Sequence, residues 1–140
     1  MQESKKIFLD ISFFIAFIDR ADLNHIKCVS IFEFLASHEF RVFTSYLVIL
    51  QTFNRAEKEL GSTVAKEFLQ AILESNIQIL YPGKQELISA FRIIRANPTH
   101  QNSLTELLNA ILMEKNGITA ILTYDFWHNL LGTNKSQYLN

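Results

Sequence analysis

The 140-residue chain carries a formal net charge of −1, with 49% apolar and 19% charged residues. It is long enough to bury one core, too apolar to be disordered, and lacks the block of basic residues that gives a whole chain a sequence-independent grip on nucleic acid. The lone Cys28 excludes an internal disulfide, and no apolar run, residues 13–18 included, approaches a membrane span.

Residues 1–6 are not followed by a small-residue cleavage site, so a cytoplasmic protein of one domain, residues 1–140, is expected. Ile7-Phe8-Leu9 is a continuous apolar run, which reads as a strand covered on both faces in a parallel sheet, and Asp10 falls where that strand ends. Residues 13–18 form a short helical candidate. A polar loop over 19–25 leads to a helix over about 25–37, where Ile26, Val29, Phe32 and Leu35 recur at helical spacing. Residues 41–44 read as a second strand.

Ser45 is a good N-cap for a helix carrying Leu47, Val48, Leu50, Gln51 and Asn54 toward Leu60. Gly61 ends that helix, and Ser62 is expected to cap another whose apolar stripe is Val64, Phe68, Ala71 and Ile72. Residues 77–80 form a third strand, closed by Pro82-Gly83. Leu87, Ile88, Phe91 and Ile94 mark a helix that stops before Pro98. After a polar loop over 97–102, Ser103 opens a helix ending near Gly117. Residues 118–122 form a fourth strand, and a short final strand is expected around 136–139. This alternation predicts a parallel sheet of four to five strands with helices on both faces, joined by right-handed crossovers. The twelve Phe residues imply an aromatic core or an apolar partner surface.

In such a sheet, ligands bind outside the carboxyl ends of the strands. Asp10 follows strand one at that edge and Asp125 follows strand four. Glu106, in the first turn of the helix leading into strand four, starts from the same edge. Gln51 lies six residues beyond Ser45, which puts it ~9 Å down its helix at ~1.5 Å per residue, within reach. Carboxylates gathered in this way repel one another unless a cation holds them. Hard oxygen ligands select Mg²⁺ or Mn²⁺, and such an ion activates water for in-line displacement at phosphorus. It also lets a chain without a basic surplus hold a polyanion.

These residues carry a family resemblance. The segments are Phe8-Leu9-Asp10 with a short helix after it, Asp22-Leu23-Asn24-His25, Thr44-Ser45 before the Gln51 helix, Ser103-Leu104-Thr105-Glu106, and Ile121-Leu122-Thr123-Tyr124-Asp125. In that order and at those spacings, from Ile7 to about Gly132, the chain resembles PIN-domain ribonucleases of the kind found as VapC-type toxins in toxin–antitoxin pairs. The resemblance implies a three-layer α/β/α fold and a metal-dependent endoribonuclease. It implies Asp10, Glu106 and Asp125 as metal ligands with Gln51 beside them, RNA as substrate, a homodimer, and a small antitoxin as partner. Gln51 stands where the family usually has Glu, so one negative ligand is missing. Glu106 stands where the family has Asp, which moves the carboxylate by about a bond length, and misplacement by ~1 Å can cost ~100-fold in rate.

Each residue also has a plainer reading. Ser103-x-x-Glu106 is a capping box, Gln51 an ordinary helix polar, and Asp125 a turn initiator. His25 starts a helix, and Cys28 packs in the core. Ser12 and Thr123 either hydrogen-bond the carboxylates or cap local backbone. Arg55 and Lys58 meet RNA phosphates or only solvent, and Trp127 and His128 stack on a base or pack. The missing Glu also supports a second function, a PIN-derived module that binds RNA or protein without cleaving. A phosphatase or nucleotide-binding domain is disfavoured, because the chain has only four Gly and no Gly-rich loop after strand one to cradle a phosphate.

Overall fold

The computed structural model describes residues 5–99 and 101–124, so Asp125, Trp127, His128 and the strand expected at 136–139 lie outside the described residues. Within them, β1 (Lys6–Leu9), β2 (Arg41–Ser45), β3 (Gln78–Leu80) and β4 (Ile121–Leu122) form one sheet of order β3-β2-β1-β4. All three pairings are parallel, with Ile7 opposite Val42, Leu9 opposite Leu122 and Thr44 opposite Ile79. β1 takes a central place because its apolar run needs cover on both faces, and Ile7, Phe8 and Leu9 are all buried.

The helices are α1 (Ile11–Ile18), α2 (His25–Ser37), α3 (Tyr46–Glu59), α4 (Ser62–Glu74), α5 (Lys84–Ala96) and α6 (Leu104–Lys115). The chain steps outward from β1 to β2 to β3, then returns past β1 to β4. Right-handed crossovers therefore put α1 to α4 on one face and α5 and α6 on the other. The packing agrees: α1 lies on α2 and α3, α3 on α4, and α5 on α6. This is the three-layer α/β/α architecture. Strand order reverses between β1 and β4, and that reversal opens a crevice at the carboxyl edge.

The aromatic surplus is mostly core. Phe8, Phe13, Phe14, Phe43 and Phe68 are buried, each adding about 1.5–3 kcal/mol of burial free energy. Phe14 meets Phe68 edge-on at 5.4 Å and so joins α1 to α4. Phe34 and Phe91, in contrast, are exposed.

Three expectations are corrected. Ser62 does not cap α4: Gly61 holds the N-cap position at φ 101°, a conformation that only glycine adopts without strain, and Ser62 is the first helical residue. β4 is shorter than residues 118–122, because Ile118 is buried ahead of the strand and pairing to β1 begins only where the Phe8 N–H meets the Ala120 carbonyl at 3.0 Å. The regularly spaced apolar residues of α2 and α5 turn inward only in part: Phe32 and Leu35 of α2 and Ile94 of α5 pack on the cores. α2 buries Cys28 and Leu35 and leaves Ile26 80% exposed, while α5 buries Ala90 and leaves Leu87 and Phe91 at 48% and 58%. Among the described residues, no helix is long and apolar enough to cross a membrane.

Candidate functional site

Asp10 follows β1 directly and occupies the N-cap position of α1. A carboxylate there ordinarily accepts a hydrogen bond from the first turn of the helix, yet the Asp10 side chain makes no such bond. Its backbone N–H is held by the Leu122 carbonyl at 3.1 Å, and its Oδ2 accepts from Thr123 Oγ1 at 2.8 Å in a buried bond. The Thr123 hydroxyl lies 3.2 Å from Ser12 Oγ, which accepts the Tyr124 N–H at 2.8 Å. The Thr123 proton is committed to Asp10, so Ser12 is the donor in that pair. A relay of three bonds thus runs from the end of β4 through α1 to the carboxylate, each bond polarising the next. Thr123 serves the carboxylate and Ser12 holds the backbone. Asp10 is only 2% exposed, and the partial positive charge at the start of α1 offsets part of its desolvation.

A cavity of about 290 Å³ opens at this edge, lined by Asp10, Ile11, Gln51, Ser103, Thr105, Glu106 and Asn109. β1, α3 and α6 therefore bring Asp10, Gln51 and Glu106 to one place, while Asp125 lies outside the described residues. Ser45 starts α3 by accepting the Val48 N–H on its side chain at 3.1 Å, and the helix then carries Gln51 to the cavity. Ser103 and Glu106 form a complete capping box: Ser103 Oγ accepts the Glu106 N–H at 3.1 Å, and Glu106 Oε1 accepts the Ser103 N–H at 2.9 Å. The plainer reading of Glu106 holds, and it coexists with a place in the cavity wall.

The carboxylate, amide and hydroxyl groups of this wall offer oxygen donors and no sulfur or imidazole nitrogen. That chemistry fits a hard cation such as Mg²⁺ or Mn²⁺, which takes a few carboxylates and completes its shell with water and substrate oxygen. Among the described residues, no group of three His, Cys, Asp or Glu side chains is arranged to hold a metal.

Asn109 was missed in the sequence reading. It is 2% exposed, and its Oδ1 accepts from Ser45 Oγ at 2.5 Å. The available signal was a polar residue interrupting the Leu-Leu-Asn-Ala-Ile-Leu run three positions after Glu106. Other candidates have local roles. His25 is the first residue of α2, with Nδ1 3.0 Å from the Ala16 carbonyl. Arg55 pairs with Glu59 at 3.1 Å on an exposed surface. Cys28 is buried and lies 3.5 Å from the Tyr124 hydroxyl. Burial pushes the Tyr124 phenol well above its usual range, reinforced by the bond to Cys28. Burial likewise raises the Cys28 thiol, and the Tyr124 bond opposes it in part.

A second, larger hollow of about 850 Å³ lies away from the carboxylates, between α1, α2 and α4. Its lining is mainly apolar, with Phe14, Phe17, Val29, Phe32, Val64 and Phe68 next to Asp19, Arg20 and Glu67.

The family model of the PIN domain matches residues 7–126. Among solved structures, the fold is similar to VapC20 of Mycobacterium tuberculosis, a sarcin–ricin loop cleaving toxin, with a TM-score of 0.78 at 19% identity over 92% of this chain and 97% of that chain. It is similar to FitAcB from Neisseria gonorrhoeae, with a TM-score of 0.68 at 13% identity over 96% of each chain. It is also similar to VapBC2 from Rickettsia felis bound to a DNA fragment from their promoter, with a TM-score of 0.65 at 14% identity over 86% of this chain and 88% of that chain. Among curated proteins, none matches the sequence.

Proposed function

This chain belongs to the PIN-domain family, and from that premise we propose that it is a divalent-metal-dependent endoribonuclease whose acidic site is weakened by Gln51. One observation carries the reading. The Asp10 carboxylate is withheld from capping α1 and fixed by Thr123 in the same cavity wall as Gln51 and Glu106. Asp10 and Glu106, together with Asp125, are the residues to hold Mg²⁺ or Mn²⁺. When bound, such an ion makes water a better nucleophile and stabilises charge at a phosphodiester. Gln51 contributes an amide that orients water or substrate without adding charge. Thr123, Ser12 and Ser103 set the carboxylates in place, as partners behind the ligands of a metal site do.

The partners in this reading are cytoplasmic RNA, a small antitoxin and a second copy of the chain. The hollow between α1, α2 and α4 suits the apolar face of one amphipathic antitoxin helix. For the homodimer, the supporting surface is the Tyr46–Tyr81 ring pair, 5.4 Å apart, with the exposed Leu50, Leu87 and Phe91.

A second reading, a PIN-derived module that binds without cleaving, is favoured by the neutral amide at Gln51. The two part in one experiment. Purified wild type, Asp10→Asn and Gln51→Glu are incubated with RNA and Mn²⁺, and their melting temperatures are titrated with Mn²⁺. The nuclease reading expects slow cleavage by wild type, none by Asp10→Asn and faster cleavage by Gln51→Glu. It also expects a Mn²⁺-dependent rise in stability, ~2.7 kcal/mol at a hundredfold excess over Kd, that disappears in Asp10→Asn and grows in Gln51→Glu. RNA binding without cleavage by wild type, unaffected in Asp10→Asn, establishes the binding module instead.

A further inference from the structure

Asn109 sits within α6 between Leu108 and Ala110 and is 2% exposed. A carboxamide so buried has to satisfy both its carbonyl and its amino group. The carbonyl is satisfied by Ser45. Ser45 Oγ already accepts the Val48 N–H at 3.1 Å, so its proton goes to Asn109 Oδ1 at 2.5 Å. With the amide turned the other way, the buried Ser45 proton would lose this acceptor, so the hydrogen-bond network fixes the orientation. The amino end, Nδ2, therefore points away from Ser45. Among the described residues nothing accepts from it, and it is not one of the sealed-off orphan atoms, of which Thr52 Oγ1 is the example. Asn109 lines the cavity of Asp10, Gln51 and Glu106. The two free N–H groups accordingly open onto that space.

N–H donors repel a cation and attract an anionic oxygen. The cavity thus has an acidic part, Asp10 and Glu106, and a donor part, Asn109, set one helical turn from Glu106 along α6. We propose that Asn109 is a substrate-contacting residue whose Nδ2 donates to a non-bridging phosphate oxygen of bound RNA, with Ser45 as the positioning residue that holds the amide in register. The assignment rests on the nuclease reading and adds to it a residue that binds the phosphodiester itself. Gln51 complements it: a neutral side chain there leaves less negative charge to repel the same phosphate.

The test compares Asn109→Asp with the double variant Ser45→Ala/Asn109→Leu. The Asp variant has the shape of Asn and still accepts from Ser45, but it replaces the donors with an anionic oxygen. The double variant removes both members of the Ser45–Asn109 pair, so neither is left without the other, while the Val48 N–H loses its cap at the start of α3, a loss that urea unfolding reads separately. RNA affinity is read on the Asp10→Asn background, KM and kcat on the Asp10 background, and the Mn²⁺-induced melting shift on all. Expected are an RNA affinity weakened about tenfold or more in both variants, a corresponding rise in KM, and a larger Mn²⁺ shift in Asn109→Asp from the added carboxylate. A residue that merely bridges α3 to α6 leaves RNA affinity and KM unchanged in both, which overturns the assignment. Loss of affinity in Asn109→Asp alone also overturns it, because charge repulsion then explains the effect. If Asn109→Asp does not fold, the double variant decides alone. A wild type that cleaves RNA while the variants match its KM removes only the role of Asn109, whereas a wild type that neither binds nor cleaves RNA removes the nuclease reading and this assignment together.

Discussion

At Glu106, capping of α6 and lining of the cavity meet in one side chain. Glu106 is a methylene longer than Asp, the residue that the family resemblance implies at this position, but the bond from the Ser103 N–H to Oε1 folds it back over the start of its own helix. The added length is taken up by the cap. Ser103→Ala removes the acceptor of the Glu106 N–H and is expected to lower stability by about 1 kcal/mol. Because it also loosens the return bond, it should shrink the Mn²⁺-induced melting shift. Urea unfolding and a Mn²⁺ titration read the two effects separately, and an unchanged Mn²⁺ response would show that the cap does not position the carboxylate. Asp10 was legible in the sequence because an acid that ends an apolar run has few other places to go. Asn109 was not, because its partner Ser45 is 64 residues away and already has a complete explanation as the cap of α3.

Between elements, the Cys28–Tyr124 contact joins α2 to the residues that follow β4. Both groups are pushed above their ordinary values, chiefly by burial. A raised value means that the folded chain keeps protons the unfolded chain releases. The stabilisation is complete below the ordinary values of 9.0 and 10.0 and is lost as pH rises through the folded ones. The melting temperature should hold steady up to about pH 9 and then fall. Tyr124→Phe, which keeps the ring and removes the phenol, should make that fall shallower, as a pH series of thermal melts would show. An equal slope in both proteins would place the titrating group elsewhere. The order and kind of these elements were readable because apolar runs, caps and breakers alternate cleanly along the chain. What was not readable was rotation. Periodicity tells which residues share a face of α5, not whether Leu87 and Phe91 or the small Ala90 turn inward, and that is decided by how closely α5 approaches α6. Likewise, Ser62 is as good a cap on paper as Gly61, and only the reversal between α3 and α4, which needs φ 101°, selects glycine.

At the scale of the whole molecule, Leu87 and Phe91 on α5 and the Tyr46–Tyr81 pair are exposed apolar groups, the ones on which the proposed homodimer is tested. Wild type is expected to elute as a dimer by chromatography with light scattering, and Leu87→Lys/Phe91→Lys as a folded monomer. A wild-type monomer would assign that surface to a different partner. The sheet order has another consequence, which concerns synthesis. β1 is translated first and β4 last of the four strands, and Asp10 obtains its Thr123 bond across 113 residues. At ~5–20 residues per second, roughly 6 to 23 s pass between the two leaving the peptidyl-transferase centre. Throughout that interval the carboxylate has neither the Leu122 carbonyl on its backbone nor Thr123 on its side chain. On the nuclease reading, the site of this chain therefore stays unassembled until the strand that carries Leu122 and the Thr123 after it have been made.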